Sequence, residues 1–438
     1  MLGLLACLLG CNQQPEGSHG DSKLNGSSVS TRSSAKPEVS LLDFGSVGQG
    51  GNDTAVIQAA LNSSSTLGKR LRVPSAPNAY NVDPIFIPSN ADVVFNSGVV
   101  VQANLGFTTS QRLLNITNSN NVSIDGYGAI FKMRKSEYTS GEWRHCLGIT
   151  NSMNVEIYGI ECSDSGGDGV YIEGTSENII IQDAVFDNNR RQGMSIISAK
   201  DLWVTNCQFT HTNGTPPEAG IDIEPNLPTD RLVNIHLDGN LTDSNNGAGI
   251  MVSIYALTSA SADVSITIDQ HLDRNSGWDG FIFTSQNEAM DSHPKGVITI
   301  QNSQTIGALS YGAIASYWSD SGPSITFDHL TVMNANQGRG QPTTGAYDRT
   351  DYGNVAVAVY RGGNGIGFLG NVAFLNPTII DNEVPPKIDT YFYFWDWSNI
   401  GIKDVKFLNP VLLHGATTTS PYGWFQPNGW SPVYSVNQ

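Results

Sequence analysis

Two recurrent phrases and a composition rich in glycine predict that this chain folds as an all-β solenoid. The first phrase is a glycine followed by alternating apolar and polar residues, and successive glycines lie 24, 27, 29, 31 and 32 residues apart. The chain of 438 residues contains 46 glycines and only 14% charged residues, which argues against a helical protein. The glycine phrases are GVYIE at 169, GMSII at 193, GIDIE at 220, GIMVS at 249, GFIFT at 280 and GAIAS at 312.

A second phrase of alternating residues runs in phase behind the first. Repetition every roughly 20–35 residues, with two or three short strands in each unit, is typical of a stacked solenoid. The leucine scaffold of leucine-rich repeats is absent, and WD-type blades need longer units. The sequence therefore predicts a right-handed parallel β-helix whose coils, about 4.8 Å apart, add one strand to each of three parallel sheets. The second phrase reads NVSI at 121, NVEI at 154, NIII at 178, DLWV at 201, LVNI at 232, DVSI at 263 and GVIT at 296.

The glycine phrases also predict which side chains form the core. The residues one and three positions after each glycine are apolar and are expected to stack inside the solenoid, so the residues two and four positions after it face outward. Cys146, Cys162 and Cys207 fall at inward positions and are expected to be free core cysteines. The predicted interior pairs are Val170 and Ile172, Met194 and Ile196, Ile221 and Ile223, Ile250 and Val252, Phe281 and Phe283, and Ala313 and Ala315.

A short helix is expected near the start of the solenoid, in the stretch LDFGSVGQGGNDTAVIQAALNS at residues 42–63. Asp53 is a favourable N-cap, and the apolar stripe Val56, Ile57, Ala60 and Leu61 would cover the open end of the first coil. This stretch and the repeats after it resemble the pectate-lyase-like superfamily, including its rhamnogalacturonase-type and epimerase-type β-helix enzymes, over residues 40–330. The resemblance implies a polysaccharide-active enzyme that binds its substrate along one outer sheet.

The N-terminus begins MLGLLACLLGC, which resembles the end of a bacterial lipoprotein signal at residues 1–11, with Cys11 as the lipidated residue. No positively charged segment precedes the apolar run, so a disordered end that is apolar by chance is the alternative. Residues 12–37 are expected to form a flexible tether, and residues 38–438 a single β-helix domain with less regular C-terminal coils. We therefore expect an exported protein: an outer-membrane or cell-surface lipoprotein, or a periplasmic or secreted form.

The charge of the chain limits the classes of partner. A formal net charge of −17 argues against duplex nucleic acid, whose phosphates bind clustered Lys and Arg. No stretch after the N-terminus reaches the about 18 apolar residues of a membrane span, so membrane contact is expected only through the lipid anchor. A histidine metal site is not predicted, because His211, His236, His271, His293, His329 and His414 are scattered along the chain.

Two acids in the central glycine phrase are the leading candidates for a site. Asp222 and Glu224 are two positions apart on a strand, so both are predicted to project from the outer face, without being desolvated. Asp168 and Glu173 are the further candidate acids. A surrounding strip of polar and aromatic residues is predicted to bind a sugar chain, or else to be a polar face with structural ion pairs. The predicted substrate-binding residues are Trp143, Arg144, His145, Tyr171, Arg190, Arg191, Gln192, Glu218, Trp278 and Asp279.

Paired carboxylates favour glycoside hydrolysis as the chemistry. One carboxyl acts as acid and the other as nucleophile or base, at separations of about 5–5.5 Å or about 6.5–9.5 Å. Repulsion between Asp222 and Glu224 would raise one pKa and keep that carboxyl protonated. Asp168, in the stretch GGDG, resembles the acid before a glycine in polygalacturonase-like hydrolases. The double aspartate expected one coil later is replaced by RRQ at 190–192, so an ordinary polygalacturonase is not predicted.

Two other functions fit the same residues. In a Ca²⁺-dependent polysaccharide lyase or uronate epimerase, Asp222 and Glu224 would bind calcium, with Asn226 as a further candidate ligand. Arg191 would act as the base or neutralise the uronate; a hydrolase would need no cofactor. The Asp-Pro-His motif of the epimerases is missing. In a non-catalytic surface protein, the aromatic run TYFYFWDW at 390–397 would bind glycans, although core packing is its alternative use. The long polar insertion at residues 334–354 is a candidate to cover the cleft.

Overall fold

The computed structural model describes residues 36–285, 293–338, 355–362, 367–388, 390–396, 398, 400–414 and 433–435. Most of the regular structure in these ranges is β-strand, and the paired strands are parallel. They form two sheets, of 11 and 24 strands. The predicted all-β fold, a parallel β-helix, is therefore confirmed.

The eleven-strand sheet takes one strand from each coil, and consecutive strands lie in register. Val170, Met194 and Ile221, for example, occupy equivalent positions in three neighbouring strands. The residues one and three positions after each repeated glycine are fully buried, as predicted. The strands are Ile85–Phe86, Leu114–Thr117, Leu147–Thr150, Val170–Glu173, Met194–Ile196, Ile221–Ile223, Ile250–Ser253, Phe281–Thr284, Ala313–Ser316, Val355–Arg361 and Thr390–Asp396.

The 24-strand sheet contains the remaining strands as two parallel ladders, so together with the eleven-strand sheet the coils build three ladders, as predicted. The two ladders are joined through the long strands Asn120–Lys132 and Met153–Ser163, which run round the corner between them with a register shift between Tyr158 and Ile160. Gly159, whose φ is 68°, turns the chain there. The strands are Glu38–Ser40, Arg70–Val73, Tyr80–Val82, Asp92–Phe95, Val100–Ala103, Asn120–Lys132, Met153–Ser163, Glu177–Gln182, Val185–Asp187, Ala199–Thr205, Gln208–Thr210, Leu232–Asp238, Leu241–Asp243, Val264–Asp269, Leu272–Arg274, Gly296–Gln301, Gln304–Ile306, Ser324–Asp328, Thr331–Met333, Leu369–Leu375, Thr378–Asp381, Ile402–Leu408, Val411–His414 and Val433–Ser435.

An α-helix, Thr54–Thr66, packs against the first strands of the solenoid, as predicted. Its residues Ile57, Ala60 and Leu61 are buried in the main core, and Val56 packs against that core. Within the described ranges, no helix is long and apolar enough to cross a membrane. Two short 3₁₀ helices are also present, Leu41–Phe44 and Lys135–Glu137.

The predicted N-cap, Asp53, precedes this helix but does not cap it with its side chain. Asp53 Oδ1 accepts a hydrogen bond from the backbone N–H of Gly48, and Oδ2 accepts one from that of Asn81. The side chain of Asn52 takes over the capping role, because its Oδ1 accepts the N–H of Thr54 at 3.0 Å. The sequence located the start of the helix correctly but assigned the cap to the neighbouring residue.

The stacking of coils explains the repeated glycine. A Cβ atom at Gly169 would lie 2.6 Å from the carbonyl oxygen of Gly193, and one at Gly193 would lie 2.5 Å from that of Gly220. Both distances are far below van der Waals contact, so only glycine fits where each coil passes over the next. The glycine phrase therefore records a close approach of backbone to backbone.

The three core cysteines are buried and form no disulfide, as predicted: they are Cys146, Cys162 and Cys207. Cys11, residues 12–35 of the predicted tether and residues 339–354 of the polar insertion lie outside the described residues.

Candidate active site

The leading candidate acids lie near the middle of the eleven-strand sheet, on its outer side. Tyr171, Ser195 and Asp222 occupy equivalent positions in three neighbouring strands. The expectation that Asp222 is not desolvated is wrong, because its exposed fraction is 0%. The alternation along a strand determines which face a side chain takes, but the turns and side chains of adjacent coils determine how deeply that face is covered.

Gln192 fixes the environment of Asp222. Its Oε1 accepts the backbone N–H of Ala219 at 2.7 Å, so its Nε2 donates to Asp222 Oδ2 at 2.8 Å. Asp222 Oδ1 receives no hydrogen bond from any described donor. Burial raises the pKa of Asp222 well above its usual value, and the charge of Glu224 and a hydrogen bond with that carboxylate raise it further. The environment of Asp222 therefore favours its protonated form.

Arg191 lies between the acids. Its Nη1 is 3.7 Å from Asp168 Oδ2, its Nη2 is 3.6 Å from Glu224 Oε2, and its Nε is 3.5 Å from Glu142 Oε2. Burial disfavours the charged guanidinium, but the surrounding carboxylates, with Asp168 first among them, outweigh that effect and raise the pKa of Arg191. Asp168 and Glu224 thus face each other across a single guanidinium.

His145 is a neutral imidazole in contact with Asp168. Its Nδ1 accepts the backbone N–H of Asp168 at 2.9 Å, so the ring carries its proton on Nε2. Burial lowers the pKa of His145, and the charges of Arg112 and Arg191 lower it further. The carboxyl of Asp168 is also fully buried, which raises its pKa to about 7 against the opposing charge of Arg191.

Three rings form an aromatic wall beside these acids, made of Trp143, His145 and Tyr171. His145 stacks on Tyr171 with ring centroids 4.5 Å apart, and Trp143 stands edge-on to both at 5.9 Å. His145 and Tyr171 are buried, whereas Trp143 is 50% exposed. Trp143 is therefore the ring of this wall that a sugar can reach from solvent.

Glu173, the fourth predicted catalytic acid, is held by Arg112. Arg112 Nη2 lies 2.9 Å from Glu173 Oε1, and the hydroxyl of Thr150 donates to the same oxygen. The Arg112 guanidinium carbon lies 5.1 Å from the ring centroid of Tyr171. Gly148 makes this path possible, because a Cβ atom there would lie 2.4 Å from Arg112 Cδ. Glu173 orients Arg112 over the aromatic wall and is not an unpaired acid.

Arg144 and Arg190, two predicted substrate-binding residues, anchor the segment 133–146 that carries Trp143. Arg144 Nε donates to the carbonyl oxygen of Phe107 at 3.0 Å. Arg190 Nη1 donates to the carbonyl oxygen of Tyr138 at 2.6 Å. Both guanidinium groups thus donate to backbone carbonyl oxygens, and these hydrogen bonds hold the chain segment in place.

Glu218, Trp278 and Asp279, also predicted to bind substrate, have contacts within the turns of later coils. Glu218 Oε1 accepts the backbone N–H of Gly214, and Asp279 Oδ1 accepts that of Tyr311 at 2.9 Å. Trp278 packs against a small apolar cluster on the outer side of the sheet. The structure thus accounts for these residues by turn and surface packing.

Five buried atoms of the cluster have no hydrogen-bond partner among the described residues. They are His145 Nε2, both carboxyl oxygens of Asp168, Ser195 Oγ and Asp222 Oδ1. An unsatisfied buried polar group costs about 1–3 kcal/mol, and native proteins contain few of them. Their convergence on one small region of the outer face therefore indicates a site for a polar ligand or for ordered water.

Calcium binds six to eight oxygens, mostly of ionised carboxylates, and the Arg191 guanidinium already lies 3.6 Å from Glu224. In the described parts of the chain, no group of three or more His, Cys, Asp or Glu side chains could hold a metal ion. Calcium binding by Asp222 and Glu224 stays a prediction.

Three residues of the cluster were missed by sequence reasoning: Arg112, Glu142 and Tyr255. Arg112 lies in a coil that lacks the glycine phrase, so its register could not be read. Glu142 precedes Trp143, and this proximity was the available signal. Tyr255 follows the strand Ile250–Ser253; burial raises its pKa, and the charge of Glu224 adds to the rise.

The aromatic run near the C-terminus contributes a smaller outward surface than predicted. Tyr393 and Trp395 are half-buried and stack in parallel, with ring centroids 5.5 Å apart. Tyr391, which was expected on the same face, is buried, as are Phe392 and Phe394. Core packing accounts for most of the run.

The comparison with known families agrees with this architecture. The model of the right-handed β-helix region matches residues 93–266 and 145–332, which together cover more than half of the chain. The chain belongs to this right-handed β-helix family. The predicted resemblance to the pectate-lyase-like superfamily is thereby confirmed.

Several solved structures share the fold at low sequence identity. The A-module of the Azotobacter vinelandii mannuronan C-5 epimerase AlgE4 matches with a TM-score of 0.58 at 13% identity, over 91% of this chain and 100% of that chain. The Yersinia enterocolitica family 28 exopolygalacturonase matches with 0.57 at 13%, over 92% and 78%. PfbA, a surface adhesin of Streptococcus pneumoniae, matches with 0.58 at 14%, over 86% and 92%. Such identities show a shared fold. No curated protein matches the sequence significantly.

Proposed function

We propose that the protein is a glycoside hydrolase that cleaves a polysaccharide bound along the outer side of the eleven-strand sheet. The observation that carries the proposal is the arrangement of three acids around one guanidinium: Asp222 and Glu224, two positions apart on one strand, face Asp168 across Arg191. Two proteins with the same fold, an epimerase of mannuronan and an exopolygalacturonase, are named for reactions on polysaccharides, and this supports a polysaccharide as the substrate.

The pair Asp222–Glu224 supplies the acid. Asp222 is buried and bound by Gln192, so Glu224, whose side chain is 21% exposed, is the member that reaches a bound sugar. Glu224 takes over the proton held by Asp222 and delivers it to the glycosidic oxygen as the bond between that oxygen and the anomeric carbon breaks. The leaving chain departs with a new hydroxyl group, and the charge of Arg191, 3.6 Å from Glu224, stabilises the two remaining carboxylates until the pair regains a proton from water.

Asp168 supplies the base. It removes a proton from a water molecule whose oxygen then bonds to the anomeric carbon, so that one water is consumed for each bond cleaved. Arg191 favours the ionised form of Asp168 and keeps it apart from the acid pair. A gap wide enough for a guanidinium suits the about 6.5–9.5 Å separation of inverting enzymes, so we propose inversion at the anomeric carbon.

A panel of polysaccharides would test this reaction, with reducing ends measured beside the ultraviolet absorbance of unsaturated products. We expect new reducing ends without absorbance, no effect of EDTA, and a loss of at least about 100-fold for Asp222→Asn and Glu224→Gln. Unsaturated products that vanish with EDTA would refute hydrolysis and support the lyase.

A non-catalytic glycan-binding protein is the second candidate, and the outward stack of Tyr393 and Trp395 favours it. Such a protein would bind polysaccharides and release no reducing ends. Its binding would be insensitive to Asp222→Asn and would fall when Trp395 is replaced by Ala.

The cellular location is part of the proposal. We propose that the chain is exported and anchored by a lipid on Cys11, as the sequence indicates. Metabolic labelling with a fatty acid should mark the wild-type chain and leave the Cys11→Ala variant unlabelled; equal labelling of the two would refute the anchor.

A further inference from the structure

We propose that the substrate of this site is a neutral glycan and that the site discriminates against sugars that carry a carboxylate. The inference rests on the proposed hydrolysis and names its substrate class. The inference is based on three features: the excess of carboxyl groups over arginines at the site, the carboxylate partners that each nearby arginine already has, and the exposed ring of Trp143 in the aromatic wall.

The charge around the site is negative. Five carboxyl groups lie there: Glu142, Asp168 and Glu224 share Arg191, Asp222 interacts with Glu224, and Glu173 pairs with Arg112. Two guanidinium groups oppose them among the described residues, those of Arg112 and Arg191. Even if Asp168 and Asp222 are both protonated, three carboxylates remain against two guanidinium groups. A uronate bound beside Asp168 and Glu224 would add a further uncompensated negative charge in a largely buried region.

Both arginines already have carboxylate neighbours. The guanidinium of Arg112 is bound by Glu173 at 2.9 Å, and that of Arg191 lies 3.5–3.7 Å from Glu142, Asp168 and Glu224. Proteins that recognise carboxylates do so with arginine donors in a bidentate geometry. A substrate carboxylate would have to compete here with the carboxylates that already surround each guanidinium.

The basic residues that lie shortly before Glu142 in the sequence line a different cavity, and each of them already has hydrogen-bond or ion-pair partners. This cavity, of about 480 Å³, is lined in part by Lys132, Arg134 and Lys135. Each of the three cations has partners there: Lys132 pairs with Asp164 at 3.0 Å, Arg134 pairs with Glu137 at 3.2 Å, and the Lys135 ammonium donates to Asn188, Asn189 and Asn213. These cations hold the base of the segment 133–146.

The remaining surface of the site suits an uncharged sugar. Trp143 offers a half-exposed ring beside the acids, and Tyr255 is 38% exposed. Aromatic rings bind the C–H faces of sugars without requiring a charge on the ligand. The net charge of −17 further disfavours the approach of a polyanion that bears a carboxylate on every sugar unit.

Matched polymers would test the inference. The wild-type enzyme is assayed on neutral glucans, mannan and xylan, and on the same glucans and mannan after oxidation of their C6 hydroxymethyl groups to carboxylates. We expect kcat/KM to fall at least about tenfold on oxidation, and the loss to shrink at about 1 M salt, where the Debye length is about 3 Å. Oxidised polymers cleaved as fast as their neutral parents would overturn the inference while leaving hydrolysis intact.

Affinity electrophoresis on the same polymers separates the inference from the proposed reaction. If no polymer is cleaved but the neutral ones retard the protein more than the oxidised ones, hydrolysis is refuted and the neutral preference stands. Retardation by the oxidised polymers alone, or by none of them, would overturn the preference.

A charge reversal at the site sharpens the test. Glu142 is 46% exposed and contacts Arg191, so Glu142→Arg should raise kcat/KM on oxidised relative to neutral polymers about threefold or more. Glu137→Arg is the matched control, because Glu137 lies in the same segment and pairs with Arg134 at the other cavity. Equal gains for the two variants would overturn the assignment, since they would reflect overall charge and not the site.

Discussion

Asp168 and Asp273 are both fully buried, and burial raises the pKa of each to about 7. They differ in what surrounds their oxygens. Asp273 lies inside the solenoid, where it accepts hydrogen bonds from the hydroxyls of Thr242, Ser276 and Thr305 at 2.8, 2.6 and 2.8 Å. The oxygens of Asp168 accept none from the described residues. A raised carboxyl pKa therefore does not identify a site by itself; the unsatisfied oxygens on the outer side of the sheet are what make Asp168 the candidate.

The largest effect that separates the two acids is on turnover. Asp168→Asn should lower kcat by about 10²–10⁴, the usual contribution of a general base, because an amide cannot accept the proton of water. Asp273→Asn should change kcat less than about twofold, since its side chain lies inside the solenoid. Rates of reducing-end release from a neutral glucan would show the difference. Comparable losses in both variants would mean that Asp168 acts on structure and not on the reaction.

The second effect is on the pH dependence of the free energy of unfolding, to which Asp273 should contribute. Its pKa is raised in the folded state, so its stabilising contribution is complete below about pH 4 and is lost as the pH rises through about 7. A shift from 3.8 to about 7 corresponds to roughly 4 kcal/mol in the free energy of unfolding. Asp273→Asn should remove this dependence between pH 4 and 8.

Guanidinium unfolding curves of the wild type and Asp273→Asn at several pH values would measure this change. Because the other titrating groups are common to both proteins, their difference isolates Asp273. A difference in the free energy of unfolding that stays constant from pH 4 to 8 would contradict the raised pKa.

The sequence predicted the fold better than the site, and particular residues show why. The glycine phrase and the apolar pairs, such as Ile221 and Ile223, follow from the contact between one coil and the next, which recurs at a fixed register. The burial of Asp222 follows from Gln192, one coil away, whose amide is oriented by the backbone of Ala219. No local pattern encodes such a contact between turns of unequal length.

Residues outside the repeated register were the least predictable. The side chain of Arg112 crosses the outer face over Gly148, which has no Cβ to block it. Gly148 lies two strands away from the strand that follows Arg191. Glu142, which contacts Arg191, belongs to the irregular segment 133–146. The same limit explains Arg190, which is next to Arg191 in sequence but binds the carbonyl oxygen of Tyr138. Neighbouring residues in a turn point in different directions, and the alternation of a strand does not extend to them.

The third effect concerns the pH dependence of turnover, whose acidic limb should shift by about a tenfold change in proton concentration. Activity of the wild type should rise as Asp168 ionises, near pH 7, and fall at higher pH as the pair Asp222–Glu224 loses its proton. Arg191→Gln removes the positive charge that opposes the rise in the pKa of Asp168, so the acidic limb should move upward by about one pH unit or more.

Arg190→Gln is the matched control for this shift. The guanidinium of Arg190 contacts a backbone carbonyl oxygen and the hydroxyl of Thr215, so its loss should leave the limb in place. The quantity to compare is log kcat/KM against pH for the three proteins. An equal displacement in both variants would show that Asp168 responds to overall charge and not to Arg191.

The smallest effect extends the comparison from acids to aromatic rings. Trp143 and Trp203 each contact a histidine, but Trp143 stands edge-on to His145 beside the acids, whereas Trp203 stacks on His236 on the 24-strand sheet. Trp143→Ala should raise KM about tenfold, or about 1.4 kcal/mol, with kcat changed less than threefold or so, because the ring binds sugar and takes no part in proton transfer. Trp203→Ala should leave KM unchanged. If Trp203→Ala raised KM as much as Trp143→Ala, the glycan would lie on the other sheet, and the unsatisfied oxygens of Asp168 would have to be explained without a substrate.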